Sequence, residues 1–252
     1  MILYEHPLTE RIRVLLRLEA LFNRVTLSSA KDDDIDHHVA LFTLFEILDI
    51  VSRIDIKSDL IRELERKKKT LESLYGNPEI DEEALNQTIS NIQNISSNML
   101  IMHGKTGEYL RENEWLMAIK NRIYTPGGTF GFDLPSYHYW LNMDSTLRRE
   151  NIDKWLKPLL PIQAGVSIVL RLLRSNGKVT NEVAVLGVLH KTGWGSSAVH
   201  LLQIEIIDNF PCTPLISANK YALNIRFMLF NQEEKPLPCE EKINFTLTRC
   251  SY

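Results

Sequence analysis

The sequence places basic side chains where a predicted strand would present them to a binding partner. In the segment KYALNIRFMLF, Lys220 and Arg226 alternate with apolar residues and therefore share the outer face of one strand. An arginine on such a face can bind a carboxylate with two parallel hydrogen bonds, and neighbouring Met228 and Phe230 can accept an apolar side chain. This combination fits a short peptide that carries both acidic and hydrophobic residues. An ordinary solvated sheet face has a similar composition, and the residues alone leave that alternative open.

Further basic residues extend this candidate site. Lys242 and Arg249 lie on the last predicted strand, in KINFTLTR, and Arg53 lies at the end of the second predicted helix. Because residues i, i+2 and i+4 of a strand line one face, Lys220 and Arg226 together with Lys242 could form one positive stripe. The predicted partner-binding residues are Arg53, Lys220, Arg226, Lys242 and Arg249.

The net charge indicates that any such site must be a local patch. The chain has 29 Lys and Arg residues against 32 Asp and Glu residues, which gives a net charge of −3 at pH 7. Proteins that bind nucleic acid usually carry a positive field, so we predict no nucleic-acid partner. The 44% hydrophobic and 24% charged residues are typical of a globular protein, and 252 residues can form one large domain or two smaller ones.

The sequence contains no recognised catalytic or cofactor-binding motif. HGKTGEYL resembles a phosphate-binding loop, but Met99 stands where that loop requires its first glycine. The segment DDDIDHH, residues 32–38, collects carboxylates and imidazoles without the spacing of a calcium-binding loop, and we predict a solvated loop that caps a helix. The three cysteines are too few for a typical structural zinc site. We therefore predict no enzymatic activity, no cofactor and no metal.

The sequence shows no signal for secretion or for membrane insertion. Its first residues lack the basic region and the apolar region of a secretory signal peptide. No stretch approaches the ~18 consecutive apolar residues that a membrane-spanning helix requires. We therefore expect a soluble, cytosolic protein with no membrane partner.

The elements that would position the basic residues change in character near Asn176 and Gly177. Before this point apolar residues recur every three or four positions, and after it they alternate. This segregation predicts an α+β fold, with an N-terminal α-helical bundle domain at residues 1–176 and a mostly antiparallel β domain at residues 177–252. The predicted strands are HLLQIEI, KYALNIRFMLF, KINFTLT and, as a fourth, TNEVAVLGVLH.

Three features of the predicted helical domain bear on possible partners. The first helix, from Thr9 to about Val25, is apolar on more than one side, which is typical of a helix buried in a bundle or shared with a second subunit. A charged helical hairpin is predicted at residues 57–102, and it could either meet a partner or stand solvated. The segment IYTPGGTFGFDLPSYHYWL is predicted to form a short turn or hairpin whose aromatic residues pack on the bundle.

Three segments of the sequence resemble ZapD, a bacterial cell-division family. YEHPLTERIRVLLRLEALF is similar to the start of the family's sequences, and GEYLRENEWLMAIKNRIYTPGGTFGFDLPSYHYWL is similar to their central signature. KYALNIRFM resembles a strand near their end that contains IRFM. The segments occur in family order from Tyr4 to Met228, so the resemblance covers nearly the whole chain. The pattern departs at Glu114, where arginine is expected, and at Ala222, where a basic residue is expected.

The resemblance implies a non-enzymatic partner of the tubulin-like division protein FtsZ. The family binds the C-terminal tail of FtsZ in a positive cleft of its β domain, and its homodimers, joined through the helical domain, cross-link protofilaments at the midcell division ring. By position, Arg53 and Arg226 match arginines of that cleft, and Lys220 matches the lysine that opens the strand motif. Lys242 or Arg249 could compensate for the missing basic residue at position 222.

A different class of function also stays open at this point. A soluble enzyme or ligand sensor could have a pocket at the junction of the helical and β domains, lined by Tyr137, His138 and Trp140, because pockets favour domain junctions. The absence of a catalytic motif argues against this alternative. The aromatic cluster favours it, although such clusters pack cores more often than they bind ligands.

Overall fold

The computed structural model describes residues 2–194, 199–206, 210–219, 221–231, 233 and 235–251. The predicted α+β class is confirmed, because helices precede a set of antiparallel strands. The helices are α1 (Glu10–Ser29), α2 (Asp34–Arg53), α3 (Ile56–Glu72), α4 (Glu82–Ile101), α5 (Glu108–Arg111), α6 (Glu114–Ile123), α7 (Pro135–Leu141), α8 (Ser145–Leu156) and α9 (Leu160–Ser175). The strands are β1 (Leu3–Pro7), β2 (Gly177–Ala184), β3 (Val188–Thr192), β4 (Val199–Ile206), β5 (Cys212–Ala218), β6 (Ala222–Leu229), β7 (Leu237–Pro238) and β8 (Ile243–Ser251).

The chain folds into two compact units. The β unit comprises Met1–Leu15 and Leu170–Tyr252, and the helical unit comprises Leu16–Val169. These units differ from the predicted domains in two respects, because the first fifteen residues and residues 170–176 belong with the strands. The first difference arises from β1, a strand that the helical periodicity did not reveal and that pairs with β4.

The helical unit forms around α2, whose residues Ala40, Leu41, Leu44, Ile47 and Leu48 are buried. The acidic segment that precedes this helix caps it, as predicted, because the side chain of Asp33 accepts a hydrogen bond from the backbone N–H of Ile35. The predicted loop is shorter than expected, since α2 already begins at Asp34 and His37 is fully buried.

The predicted charged hairpin corresponds to α3 and α4, which pack against each other. Gly76 ends the first arm in a left-handed conformation, with φ of 79°, which glycine adopts without strain. Asp81 begins the second arm by accepting hydrogen bonds from the backbone N–H groups of Glu83 and Ala84. The sequence cues for both ends of this turn are therefore confirmed.

The aromatic segment before α8 is only in part the turn that we predicted. Its last residues form α7, which begins with Pro135 at the first helical turn, where the missing N–H of proline costs nothing. Tyr137 and Trp140 of α7 are buried, as expected for aromatics that pack on the bundle. Phe130 and Phe132, in contrast, are exposed and stack on each other with ring centroids 5.7 Å apart.

The helical run from Ser145 to Ser175 is long and apolar enough, by length and composition alone, to cross a bilayer. Half of its most apolar window is buried within the protein. A core helix of a globular protein passes the same test when its apolar face packs internally. This run therefore gives only weak support for a membrane span.

The β unit contains two sheets whose inner faces share one core. One sheet has the strand order β1-β4-β8-β2, and the other has the order β3-β6-β5, with β7 paired to β6. The alternation predicted for the two long strands is confirmed, because Ile225 and Phe227 of β6 and Phe245 and Leu247 of β8 are all buried. The rings of Phe227 and Phe245 lie 5.1 Å apart between centroids and join the two sheets.

The segment TNEVAVLGVLH forms a hairpin and not the single strand that we predicted. It contains the end of β2 and the start of β3, and Val185 and Val188 exchange two backbone hydrogen bonds across a two-residue turn. Leu186 and Gly187 at the turn both have positive φ, 50° and 64°, which matches the twist of a tight hairpin. Leucine is rare in this conformation, so the sequence carried no turn signal at that position.

Candidate functional site

Arg226 lies on the outer face of the central strand of its sheet. β6 is paired with β3 on one side and β5 on the other, and the neighbouring residues Ile225 and Phe227 point into the core. Because successive side chains of a strand point to opposite faces, the side chain of Arg226 points outward, and it is exposed. Within the part of the chain that the structure describes, this guanidinium group has no hydrogen-bond or ion-pair partner.

Two exposed aliphatic residues flank Arg226 on the adjacent strands. Val188 of β3 and Leu215 of β5 are its direct partners in the antiparallel register, and directly paired residues share a face. Val188 is 43% exposed and Leu215 is 57% exposed. We call Val188, Arg226 and Leu215 the Arg226 row. The row combines a cation that lacks a partner among the described residues with apolar surface on both of its sides.

The rows on either side of the Arg226 row differ in polarity. In the row that contains His190 and Asn224, the Nδ1 atom of the imidazole lies 2.5 Å from Oδ1 of the amide. In the opposite direction along β6, half-buried Met228 pairs with Pro238 of β7. The exposed side chain of Phe230 follows directly after this strand. The predicted apolar neighbours of the arginine are therefore present, one half-buried and one exposed.

Lys242 does not extend the Arg226 row through strand pairing, because it directly precedes β8 of the other sheet. Backbone hydrogen bonds nevertheless bring the two segments near each other. Gly187 donates to the carbonyl of Glu241 at 2.8 Å, and its own carbonyl accepts from the N–H of Phe227 at 2.8 Å. One glycine thus contacts the chain neighbours of both Lys242 and Arg226. Lys220 lies outside the described residues.

Arg249 lies on the inner side of its strand, away from the predicted positive stripe. It is half-buried, and it shares the strand parity of the core residues Phe245 and Leu247. One of its terminal nitrogens donates a hydrogen bond to the backbone carbonyl of Trp194 at 3.3 Å. Its Nε is buried and has no hydrogen-bond partner among the described residues. The structure therefore does not bring Arg249 together with Arg226 on one surface.

Arg53 ends α2 and lines a cleft in the helical unit with a volume of about 480 Å³. The other basic residues of the lining are Lys57, Lys105 and Arg111, and the one carboxylate of the lining is Asp55. We call this the Arg53 cleft. Four cations against one anion give the cleft a positive potential.

Two of the cations of the Arg53 cleft donate hydrogen bonds to neutral oxygen atoms. Lys57 donates from Nζ to the carbonyl of Met102 at 2.6 Å, and Arg111 donates to the hydroxyl of Ser52 at 2.5 Å. Hydrogen bonds to neutral acceptors orient a cation without cancelling its charge. Arg53 itself has no hydrogen-bond or ion-pair partner within the described residues.

The carboxyl group of Asp55 is committed to capping α3. It accepts a hydrogen bond from the backbone N–H of Ser58 at 3.2 Å. Hydrogen bonds from Ser58, and then the charges of Lys57 and Arg62, lower the pKa of this carboxyl below its ordinary value. Sequence reasoning found Arg53 but missed Lys57, Lys105 and Arg111, because the chain brings these residues together only through the turns that follow α2 and α4.

The aromatic residues of the alternative site belong mostly to the core of the helical unit. Tyr137 is fully buried and Trp140 is 4% exposed, and the two rings stack with centroids 5.9 Å apart. The hydroxyl of Tyr137 lies 2.6 Å from Nδ1 of His38. Burial raises the pKa of the Tyr137 hydroxyl above its ordinary value. His138 is exposed, so the three proposed lining residues do not share one environment.

Comparisons with known proteins place this chain. The family model described as the cell division protein ZapD matches residues 16–226. This chain belongs to the ZapD family. The protein of that name from Azoarcus sp. (strain BH72) is 50% identical over 251 residues and covers 100% of both chains. The one from Nitrosomonas europaea is 48% identical over 250 residues, with 99% of this chain and 95% of the relative covered.

Membership of the ZapD family assigns this chain a role in cell division, within a family that is not known as an enzyme family. The region matched by the ZapD model contains Arg53 and Arg111 and ends at Arg226. Lys242 and Arg249 lie beyond it. The Arg53 cleft and the central residue of the Arg226 row are therefore both within the segment that defines the family.

Proposed function

We propose that this chain binds the C-terminal tail of FtsZ and, as a homodimer, cross-links FtsZ protofilaments to promote assembly of the division ring. The observation that carries the proposal is the Arg226 row, where an arginine that has no hydrogen-bond or ion-pair partner among the described residues is exposed between two aliphatic side chains. Such a surface is complementary to a peptide that carries carboxylates and apolar residues. The Arg53 cleft adds a second positive surface that can attract an acidic segment.

The surface formed by α1 and α2 supports the homodimer. A shallow cleft there has Ala20, Leu21, Ile50 and Tyr124 among its lining residues, and charges of both signs surround it, since Arg24 pairs with Glu46 at 3.2 Å. In a two-fold dimer each patch meets a copy of itself. An apolar centre with both charge signs at its rim is able to complement itself in this way. Dimerisation supplies the two tail-binding sites per particle that cross-linking requires.

A protein with this function acts in the cytoplasm and is recruited to midcell by FtsZ itself. A single contact with a short disordered tail is expected to be weak, on the order of micromolar, because the peptide loses conformational entropy when it binds. Several tails along one filament raise the apparent affinity by avidity. We therefore expect stable complexes with filaments and only weak binding of isolated tails.

The direct test is co-sedimentation with FtsZ filaments from the same species, with and without the C-terminal tail of FtsZ. We expect this protein to pellet with full-length filaments and to stay in the supernatant with tail-deleted filaments. Pelleting that survives deletion of the tail would move the docking element to another part of FtsZ. No pelleting with either filament would contradict the proposed function.

A further inference from the structure

The loop that follows α4 lines the Arg53 cleft with Gly104, Lys105 and Thr106. These residues belong to HGKTGEYL, the segment that resembles a phosphate-binding loop but lacks its first glycine. Gly104 and Gly107 have φ of 70° and 76°, a left-handed conformation that glycine adopts without strain. The loop follows a helix and not a strand, so it is not the loop of nucleotide-hydrolysing proteins. It nevertheless brings a lysine and a threonine to a cleft that contains further cations.

Two cations of the cleft connect this loop to the ends of the neighbouring helices. Arg111 donates a hydrogen bond to the hydroxyl of Ser52 at 2.5 Å and a longer one to the carbonyl of Thr106 at 3.5 Å. Lys57 donates to the carbonyl of Met102 at 2.6 Å. The two chain segments that line the cleft, one around the end of α2 and one after α4, are therefore joined by hydrogen bonds from cations to neutral acceptors.

The other two cations of the cleft, Arg53 and Lys105, are available to a ligand. Both are exposed, and neither has a hydrogen-bond or ion-pair partner among the residues that the structure describes. The nearby carboxylates are bound to backbone N–H groups instead. Asp55 accepts from the N–H of Ser58 at 3.2 Å, and Glu108 accepts from the N–H of Lys105 at 3.1 Å. An anion that enters the cleft would therefore find two cations without competing partners.

The charge and the size of the cleft match a small anion with several charges. Four cations and one carboxylate line the cleft, which leaves a net charge of +3. A diphosphate group, free or at the end of a nucleotide, carries about three negative charges near neutral pH. The volume of about 480 Å³ lies within the usual range for pockets that bind small molecules. A phosphodiester, with a single charge, would leave most of the cations unpaired.

The lining groups suit phosphate oxygens better than a carboxylate. A carboxylate has two oxygens in one plane, whereas a terminal phosphate has three acceptor oxygens that point in different directions. A phosphate can therefore accept hydrogen bonds from both lining segments at once. The hydroxyls of Ser58 and Thr106 are further donors in the lining. No aromatic side chain occurs among the described lining residues, so a nucleotide base would find no stacking partner there.

We propose that the Arg53 cleft binds a diphosphate group, either as inorganic pyrophosphate or as the phosphate end of a nucleoside diphosphate. Arg53 and Lys105 bind the phosphate oxygens from the two lining segments. Lys57 and Arg111 keep these segments together and add positive potential. This binding does not require FtsZ, so it goes beyond the proposed function.

The test is isothermal titration calorimetry of the full chain with pyrophosphate, at low ionic strength and without Mg²⁺, which would itself bind the ligand. The variants are Arg53→Gln and Lys105→Gln. Because neither side chain has a partner among the described residues, both variants are expected to fold, which circular dichroism verifies. Lys154→Gln is the matched control, since it removes one charge from an exposed position on α8 outside the cleft.

We expect each cleft variant to bind pyrophosphate about tenfold more weakly than wild type, because each loses one charge-assisted contact. Lys154→Gln should stay within about twofold of wild type. Citrate has a similar charge but only carboxylates, and it should bind wild type at least about tenfold more weakly than pyrophosphate.

ADP distinguishes the two sources of the diphosphate group. If ADP binds as well as pyrophosphate or better, the site accepts a nucleotide, and if ADP binds much more weakly, the ligand is inorganic. The inference is overturned if pyrophosphate does not bind wild type, if citrate binds equally well, or if both cleft variants bind like wild type. These results leave the proposed function standing, because co-sedimentation tests FtsZ binding without any phosphate ligand.

Discussion

The Arg226 row and the Arg53 cleft each present an arginine that has no partner in the part of the chain that the structure describes, but they differ in what surrounds it. In the row the neighbours are the aliphatic side chains of Val188 and Leu215, aligned by strand pairing. In the cleft the neighbours are further cations, and two of them, Lys57 and Arg111, are oriented by hydrogen bonds to neutral oxygens. Two basic sites in one chain can therefore serve different purposes. On the proposed function, we expect the cleft to attract negative charge, whereas we expect the row to contact apolar side chains of the ligand as well.

Reversing the charge of the row is the strongest way to test this comparison. Arg226→Glu places a carboxylate opposite the acid of the bound peptide, and we expect affinity for the FtsZ tail to fall by about 100-fold or more. Bundling of filaments, followed by light scattering, should be lost. Lys178→Glu makes the same charge change on an exposed residue of β2 and serves as the control. Wild-type bundling by the Arg226→Glu variant would show that the row is not the site.

Salt separates the cleft from the row. Arg53→Gln removes one cation of an open positive cleft, and we expect about a tenfold loss of tail affinity at low ionic strength. This loss should shrink towards zero near 1 M salt, where the screening length falls to about 3 Å. The loss caused by Leu215→Thr should stay nearly constant, because an apolar contact is not screened. Equal salt dependence of the two variants, measured by peptide anisotropy, would remove the distinction between the sites.

The stability of the β unit can be lowered by a substitution outside the Arg226 row and the Arg53 cleft. Glu5 of β1 accepts hydrogen bonds from Arg174 at 2.9 Å and from Gln203 at 2.9 Å. Burial alone would raise the pKa of this carboxyl, but the hydrogen bonds and the charge of Arg174 outweigh burial and lower it below 4.5. We expect Glu5→Gln to destabilise the β unit by about 1–2 kcal/mol at pH 7 and to leave peptide affinity unchanged.

The pH dependence of this contact has a definite direction. Because the pKa of Glu5 is lower in the folded chain, its stabilisation is fully present above the ordinary pKa of 4.5 and is lost as the pH falls through the folded-state value. The protection factors of the β1 and β4 amides, which correct hydrogen exchange for its intrinsic pH dependence, should therefore fall on acidification in wild type and change less in Glu5→Gln. Equal acid sensitivity of both proteins at these amides would show that protonation of Glu5 does not affect the stability of β1 and β4.

Where side-chain periodicity was unbroken, reasoning from the sequence predicted the structure well. The alternation around Arg226 predicted its outward direction, because residues 223, 225 and 227 all require burial. The capping role of Asp33 and the turn at Gly76 could also be predicted, because each depends on only a few adjacent residues. The same method missed β1 and β5, which are short strands with no long alternating pattern.

The neighbours of the basic residues in the folded chain could not be predicted from local sequence patterns. Val188 was placed in a continuous strand, and only the tight turn at Leu186 brings it beside Arg226. Arg249 was included among the partner-binding residues, but its strand parity turns it towards the core. Lys57 and Arg111 carried no signal of their own, because they line the cleft through contacts between residues far apart in the sequence.

By itself the sequence determined the class of the fold, the family, and the presence of an arginine on an outer strand face. These properties depend on residue order and on the two periodicities of helix and strand, which are apparent from the sequence alone. Only the tertiary structure decided what stands beside each arginine. Strand partners and cleft linings depend on contacts between residues far apart in the sequence. The free energy that stabilises these contacts is distributed over the whole core, so no single residue predicts them.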